Sequence, residues 1–273
     1  MATALRLDSA AARPSLDLAE LWGYRGLLYF LVWRELKVRY KQTVVGVGWA
    51  ILQPLLYMAV LTVMFGAVAQ VPSEGVPYPL FVYAGLLPWT YFASAVGTAS
   101  ISLVSNSNLL TKIYFPRLLV PLSVILASLV DVLIGLLLLI GLLLFYGFTP
   151  TARLAALVPF AALAALTALA VSVWFSALDV RYRDVRSTIP FLLQAWMFAS
   201  PVIYPASLIS PKYRGIFGLN PMAGVVEGFR WAIEPNKPFP GALLGVAVGV
   251  IALLLASGAW YFRAVEPSFA DEI

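Results

Sequence analysis

No cysteine and no histidine occur among these 273 residues, and charged side chains make up only 11% of them. Without cysteine there is no disulfide and no thiolate chemistry. Without histidine, imidazole-ligated metals and histidine-based proton transfer are excluded. Soluble domains carry about 25% charged residues. This chain is 62% hydrophobic instead, which makes it a polytopic membrane protein. Apolar spans consume most of its length and leave no room for a separate soluble catalytic domain. Its net charge is +5, but the basic residues flank apolar runs, so the expected partners are anionic lipid headgroups and not nucleic acid.

Residues 34 to 56 organise the rest, beginning basic and ending apolar. On a helix, Tyr29, Trp33, Leu36 and Tyr40 share one face, while Arg34, Lys37 and Lys41 lie on a separate flank. That pattern suits an amphipathic helix in the membrane interface, expected over residues 18–42, aromatic face towards acyl chains and cations towards headgroups. Residues 1–17 are mixed and polar, lack the apolar core of a signal peptide, and read as a cytoplasmic tail.

Six transmembrane helices are expected, at about 44–70, 79–104, 118–146, 154–178, 188–206 and 241–262, in one all-α membrane domain. Pro54 lies inside the first, and Pro190, Pro201 and Pro205 bracket the fifth. Residues 207–240 are too long for a turn and too apolar for a solvated loop. Within them Asn220-Pro221 is a helix start signal, cap followed by first residue, ahead of a short amphipathic helix carrying Glu227 and Arg230. The polar loop 105–117 should hold a short helical segment. Counted by side, thirteen lysines and arginines fall with the termini against five opposite, which puts both termini in the cytoplasm.

No constellation of catalytic residues stands out. The chain has no G-x-x-x-x-G-K-[ST] motif with which to hold a nucleotide, and it is not expected to be an enzyme. Asp179 and Asp184 are the nearest thing to paired carboxylates, but neighbouring arginines favour ion pairing. Asp131 is the acidic residue deep inside a span, where a carboxylate is costly unless paired. It could bond a neighbouring helix or serve transport. Gln53 and Gln194 read as interhelical hydrogen-bonding residues. The loops 105–117 and 179–187 suit docking on a soluble partner, and equally suit ordinary cytoplasmic loops. Most aromatics sit at span ends as interfacial anchors. Tyr57, Phe65, Trp174 and Trp196 lie deeper, where they could present flat faces to sugar rings. For any single one, core packing is the simpler account.

Several blocks in order carry a family likeness: Arg34–Thr43 leading into Gly46–Leu55, Tyr83–Trp89, Lys112–Arg117, Asp179–Arg186, Ser200–Tyr204 with Pro205, and Asn220–Arg230. Together they resemble the ABC-2 type permeases that export polysaccharides, with the O-antigen exporters most similar and teichoic acid and capsule exporters near relatives. The resemblance implies a homodimer in the bacterial inner membrane, with two copies of a separate ABC ATPase beneath it. ATP and magnesium would be held by that ATPase, and no cofactor by this chain. The first, second and fifth spans would line a channel at the dimer interface, with Tyr57, Phe65, Trp89 and Trp196 as channel aromatics. Arg34, Lys37, Arg39, Lys41, Arg181 and Arg183 would attract the pyrophosphate of a polyprenyl-linked polysaccharide at the interface. Asn108, Lys112, Tyr114, Arg117 and Arg186 would couple to the ATPase. Short re-entrant helices on the periplasmic side would form a gate involving Asn220, Pro221, Glu227 and Arg230. Alternatives are another substrate of the same superfamily (a small lipid or drug) or an ion-coupled secondary carrier.

Overall fold

Backbone groups of a long apolar run can be satisfied in hydrocarbon only within a helix or a closed barrel. In the computed structural model the described residues (18–41, 47–110, 112, 115–182 and 184–269) form helices joined by turns and irregular segments, with no strand among them. The expected residues Tyr114 and Arg183, and the tail 1–17, lie outside the described residues.

The chain enters through α1 (Leu18–Gly23) and α2 (Arg25–Lys41), then α3 (Val47–Leu61), which continues as a π-helical segment, Thr62–Val68. Next come α4 (Tyr78–Ser100) and two single turns, α5 (Ser102–Ser105) and α6 (Ser107–Leu110), inside the loop where a short helical segment is expected. The long helices α7 (Leu119–Phe145) and α8 (Leu157–Arg181) follow. The chain closes with α9 (Val185–Ala199), α10 (Arg214–Gly218), α11 (Pro221–Ile233) and α12 (Gly241–Val265). Among the described residues, five helical stretches are long and apolar enough to cross a membrane: 48–68, 78–100, 119–145, 152–181 and 241–265. The expected fifth span, 188–206, contains instead a helix of only 15 residues. Its end has a local cause. Asn220 Nδ2 donates to the Ala199 carbonyl, Ser200 Oγ donates back to Trp196 O, and Pro201 follows at once.

α4 is the centre of the fold. It packs against α7, α8 and α11, with α3 and α9 on its remaining side. Two tyrosines make its burial possible without stranding hydroxyls: Tyr83 donates to Gly135 O (3.1 Å) and Tyr91 to Ile125 O (3.2 Å) on α7. Gly85 has a packing reason, since a Cβ there would sit 2.8 Å from the Val202 carbonyl oxygen. α12 closes the far side against α8, where Trp174 stacks on Tyr261 at 4.9 Å.

Two expectations change. On α2 the aromatic residues Tyr29 and Trp33 are exposed, as are Lys37 and Lys41, but Leu36 and Tyr40, expected on the same lipid-facing side, are partly buried. The inward face is Leu27, Leu28 and Leu31 of α2, continued by Tyr24 and by Leu21 of α1, and these close a second core with α7, α8 and α12 residues. Arg34 and Arg39 turn inward. The helix is apolar on both sides, so its sequence does not reveal which side packs. α11 is likewise not amphipathic in place: all of its residues but Trp231 are buried.

Candidate functional site

Three features meet at the centre of the apolar region: an ion pair, a group of tyrosines and a cavity. Asp131 lies midway along α7, with Ser128 one turn before it and Gly135 one turn after. The C-terminal end of α2 brings Arg39 and Tyr40 to it. Arg39 Nη1 bonds Asp131 Oδ2, the Tyr40 hydroxyl donates to Asp131 Oδ1, and Arg39 Nη2 reaches Ser128 Oγ at 3.1 Å. A lone carboxylate there would carry a large desolvation cost, and removing its partner would restore that cost. The partner is thus an arginine of α2, outside every expected span.

Around this cluster α2, α3, α4 and α7 border a half-open cavity of about 480 Å³. Its walls include Trp49, Gln53 and Tyr57 from α3, and Tyr83, Thr90, Tyr91, Ser94 and Thr98 from α4. Trp49 and Tyr57 remain about half exposed. Ser94 and Thr98, one helical turn apart, give α4 a polar strip, and the exposed Gln53 on α3 lines the same recess; Gln194 on α9 is exposed as well. In hydrocarbon such groups need partners.

Above α5 and α6, Arg34 bonds Asn106 Oδ1 at 2.6 Å and Glu35 at 2.8 Å. Five residues separate this contact from the Arg39 contact, so α2 ties the 105–117 loop to the cavity wall. Asn108 and Lys112 are exposed, free of the bundle. Arg117 is tied to the C-terminal segment through Glu266 and stands 5.6 Å over the Phe269 ring. Asp179 is buried and paired with the exposed Arg186 (3.0 Å), the ion pairing expected for that loop. Arg181 is exposed, 5.7 Å over its neighbour Tyr182.

A second charged cluster lies at the opposite end. Asn220 caps α11, accepting from Met222 N (3.1 Å), as its sequence predicts. The same side-chain oxygen accepts the Trp196 indole N–H at 2.9 Å, so this expected channel aromatic is bound to the cap and meets Phe92 edge-on. Trp89 is buried against Phe92, and Phe65 is partly buried against the core. Arg230 is wholly buried: it bonds Glu227 (3.0 Å), Val202 O and Tyr204 O, and its guanidinium stands 3.6 Å over Phe81. Sequence reading misses Lys237. Its ammonium touches Glu74 (2.7 Å), Glu227 (3.0 Å) and Glu234 (3.3 Å). Burial pushes the Glu234 carboxyl up to about 7, against the pull of Lys237. Burial also acts upward on Glu74, but hydrogen bonds from Lys237 and Ser207 leave it below the usual range. Arg153 adds a third tie, donating to Glu234 O and Pro235 O and standing 5.2 Å over Trp231.

These features define an α-helical polytopic membrane protein whose polar groups serve packing and an internal recess, with no metal-ligating cluster among the described residues. The ABC-2 type transporter family matches residues 26–233, and the chain belongs to that family. It is 34% identical over 259 residues to the O-antigen export system permease protein RfbA of Myxococcus xanthus, covering 93% of this chain and 98% of that one. A Klebsiella pneumoniae protein of the same name is 30% identical over 205 residues, 75% of this chain and 78% of its own. The polysialic acid transport protein KpsM of Escherichia coli is 24% identical over 238 residues, 85% of this chain and 91% of its own.

Proposed function

We propose that this chain is the permease of an ATP-driven exporter of lipid-linked polysaccharide of the O-antigen kind. It works as a homodimer in the bacterial inner membrane, with both termini in the cytoplasm. A separate ABC ATPase, in two copies, hydrolyses the ATP. α9, extended by residues 200–206, completes a sixth crossing, and α10 and α11 form the outer gate. The observation that carries this reading is the row of exposed polar groups on the α3–α4 side, Gln53, Ser94 and Thr98, beside the exposed ring of Tyr57. Lipid is a poor neighbour for such a strip. A polar conduit between two copies is a suitable one, and a glycan chain fits it because rings and hydroxyls offer it many weak contacts. Names of relatives that export O-antigen or transport polysialic acid support the same substrate class.

In this reading Lys37, Lys41 and Arg181 face the headgroup region and attract the pyrophosphate. Asn108 and Lys112 present the α6 region to the ATPase, and α2 carries its movement to the conduit. Asp131, the residue on which an ion-coupled carrier would depend, is held by Arg39 and Tyr40, which favours a positioning role over proton carriage.

The test is deletion of the gene in its native host, followed by complementation. Surface polysaccharide should disappear and its lipid-linked form accumulate inside. A mild-detergent pull-down of the tagged chain should return a stoichiometric P-loop ATPase. Intact surface polysaccharide in the deletion strain, with no ATPase bound, rejects the proposal.

A further inference from the structure

The cavity beside the ion pair differs from the interface helix in the sign of its charge. The charged side chains in its wall are Glu35, Arg39 and Asp131, one cation against two carboxylates. Arg34, which bonds Glu35 at 2.8 Å, stands outside the wall and at most brings the balance to zero. A site for pyrophosphate needs the reverse balance, with cations left over to meet the anion. Arg39 has none to spare, because its guanidinium is already divided between Asp131 and Ser128.

What the wall does offer is acceptors and ring faces. Asp131 receives one donor on each oxygen, and each carboxylate oxygen has a second lone pair. Its side chain is 32% exposed, so those positions are accessible. The Gln53 carboxamide both donates and accepts. Trp49 and Tyr57 stand about half exposed on the facing helix. A sugar unit has the complementary chemistry, with hydroxyl donors round its edge and an apolar face of C–H groups. The volume of about 480 Å³ falls in the range of small-molecule sites.

We propose that each protomer holds a subsite for a neutral sugar unit in this cavity, in which Asp131, positioned by Arg39 and Tyr40, accepts sugar hydroxyls and Trp49 and Tyr57 flank the ring. The subsite excludes the pyrophosphate, which stays with the exposed cations Lys37 and Lys41. This rests on the export reading above and adds to it a place and a selectivity by charge.

The experiment uses the complete transporter in native cells, with p-azidophenylalanine in place of Tyr57 and, as the control, in place of Phe145, whose ring is 79% exposed on α7. After illumination, the adducts are identified by mass spectrometry and scaled to the amount of assembled complex. Position 57 should carry sugar-bearing adducts and position 145 phospholipid. Asp131→Asn should lower the sugar adduct about tenfold, the loss of one charge-assisted hydrogen bond. Asp131→Asn combined with Arg39→Gln leaves no unpaired charge. A merely structural tie predicts that this double variant recovers the adduct; the subsite predicts that it does not. Phospholipid or a second copy of this chain as the sole adduct at position 57 overturns the subsite, as does an undiminished adduct in Asp131→Asn or recovery in the double variant. The gene deletion separates the two claims: if it abolishes surface polysaccharide while position 57 captures only lipid, the subsite fails and the export reading stands.

Discussion

At the residue scale, the buried cations set the largest energies. Arg230 neutralises Glu227 where neither reaches solvent. Arg230→Met should cost about 3–5 kcal/mol, the penalty for stranding one member of a buried pair, measured by thermal unfolding in detergent. Adding Glu227→Gln should return much of it. Glu234 gives a pH signature. Its folded pKa, about 7, lies above the ordinary 4.5, so the folded state takes up the proton more readily. Its stabilising contribution is therefore full below pH 4.5 and is lost as pH rises through about 7. Glu234→Gln should flatten the pH dependence of the melting temperature in that window and melt above the parent at neutral pH. A parent and variant that run parallel would show that Lys237 holds the carboxylate fully ionised. Glycine 228 is a packing case: a Cβ would sit 2.7 Å from the Phe160 ring, so Gly228→Ala should cost about 1–3 kcal/mol.

At the element scale, α2 and α11 show what a sequence pattern can and cannot reveal. The start of α11 is legible because capping chemistry is local: Asn220 and Pro221 are adjacent and suffice. The burial of α11 is not legible, because what encloses it comes from elsewhere in the chain: Arg230 bonds the carbonyls of Val202 and Tyr204 as well as Glu227, and the Lys237 that pairs Glu227 also holds Glu74, 163 positions away. For α2, a helix in this region is readable, but not its break from α1 nor which side packs, since leucines on one side and aromatics on the other are both apolar. Asp131 is conspicuous in the sequence while its partner, 92 positions away, is one arginine among several. α4, α7, α8 and α12 are the plainest, because an apolar run of that length with so few charges has no alternative to a helix. α6 yields a prediction of its own kind. Lys112→Glu should weaken copurification of the ATPase and leave the melting temperature of the permease unchanged, since Lys112 is exposed. Unchanged copurification would remove this loop from the docking surface.

At the scale of the whole molecule, no side chain between 48 and 68 is buried in the single chain, whereas α4 beside it is the most enclosed of the five membrane-length helices. A homodimer through α3 and the polar edge of α4 is the proposed resolution. The absence of native cysteine makes the check direct. A single cysteine at Val60 should form a disulfide between two copies in membranes, and one at Leu137 on α7 should not. Crosslinking at 137 alone would move the interface to the other side of the bundle.

The π-helical segment that ends α3 has a kinetic consequence. Pro54 removes one amide from the ladder, and the wider turns at Thr62–Val68 pair each remaining amide one residue further back. With no buried side chains to hold them, these amides owe their protection to the surrounding hydrocarbon and not to packing. Hydrogen–deuterium exchange should therefore rank α3 first and α4 last among the spans, and the contrast should widen as lipid is stripped away.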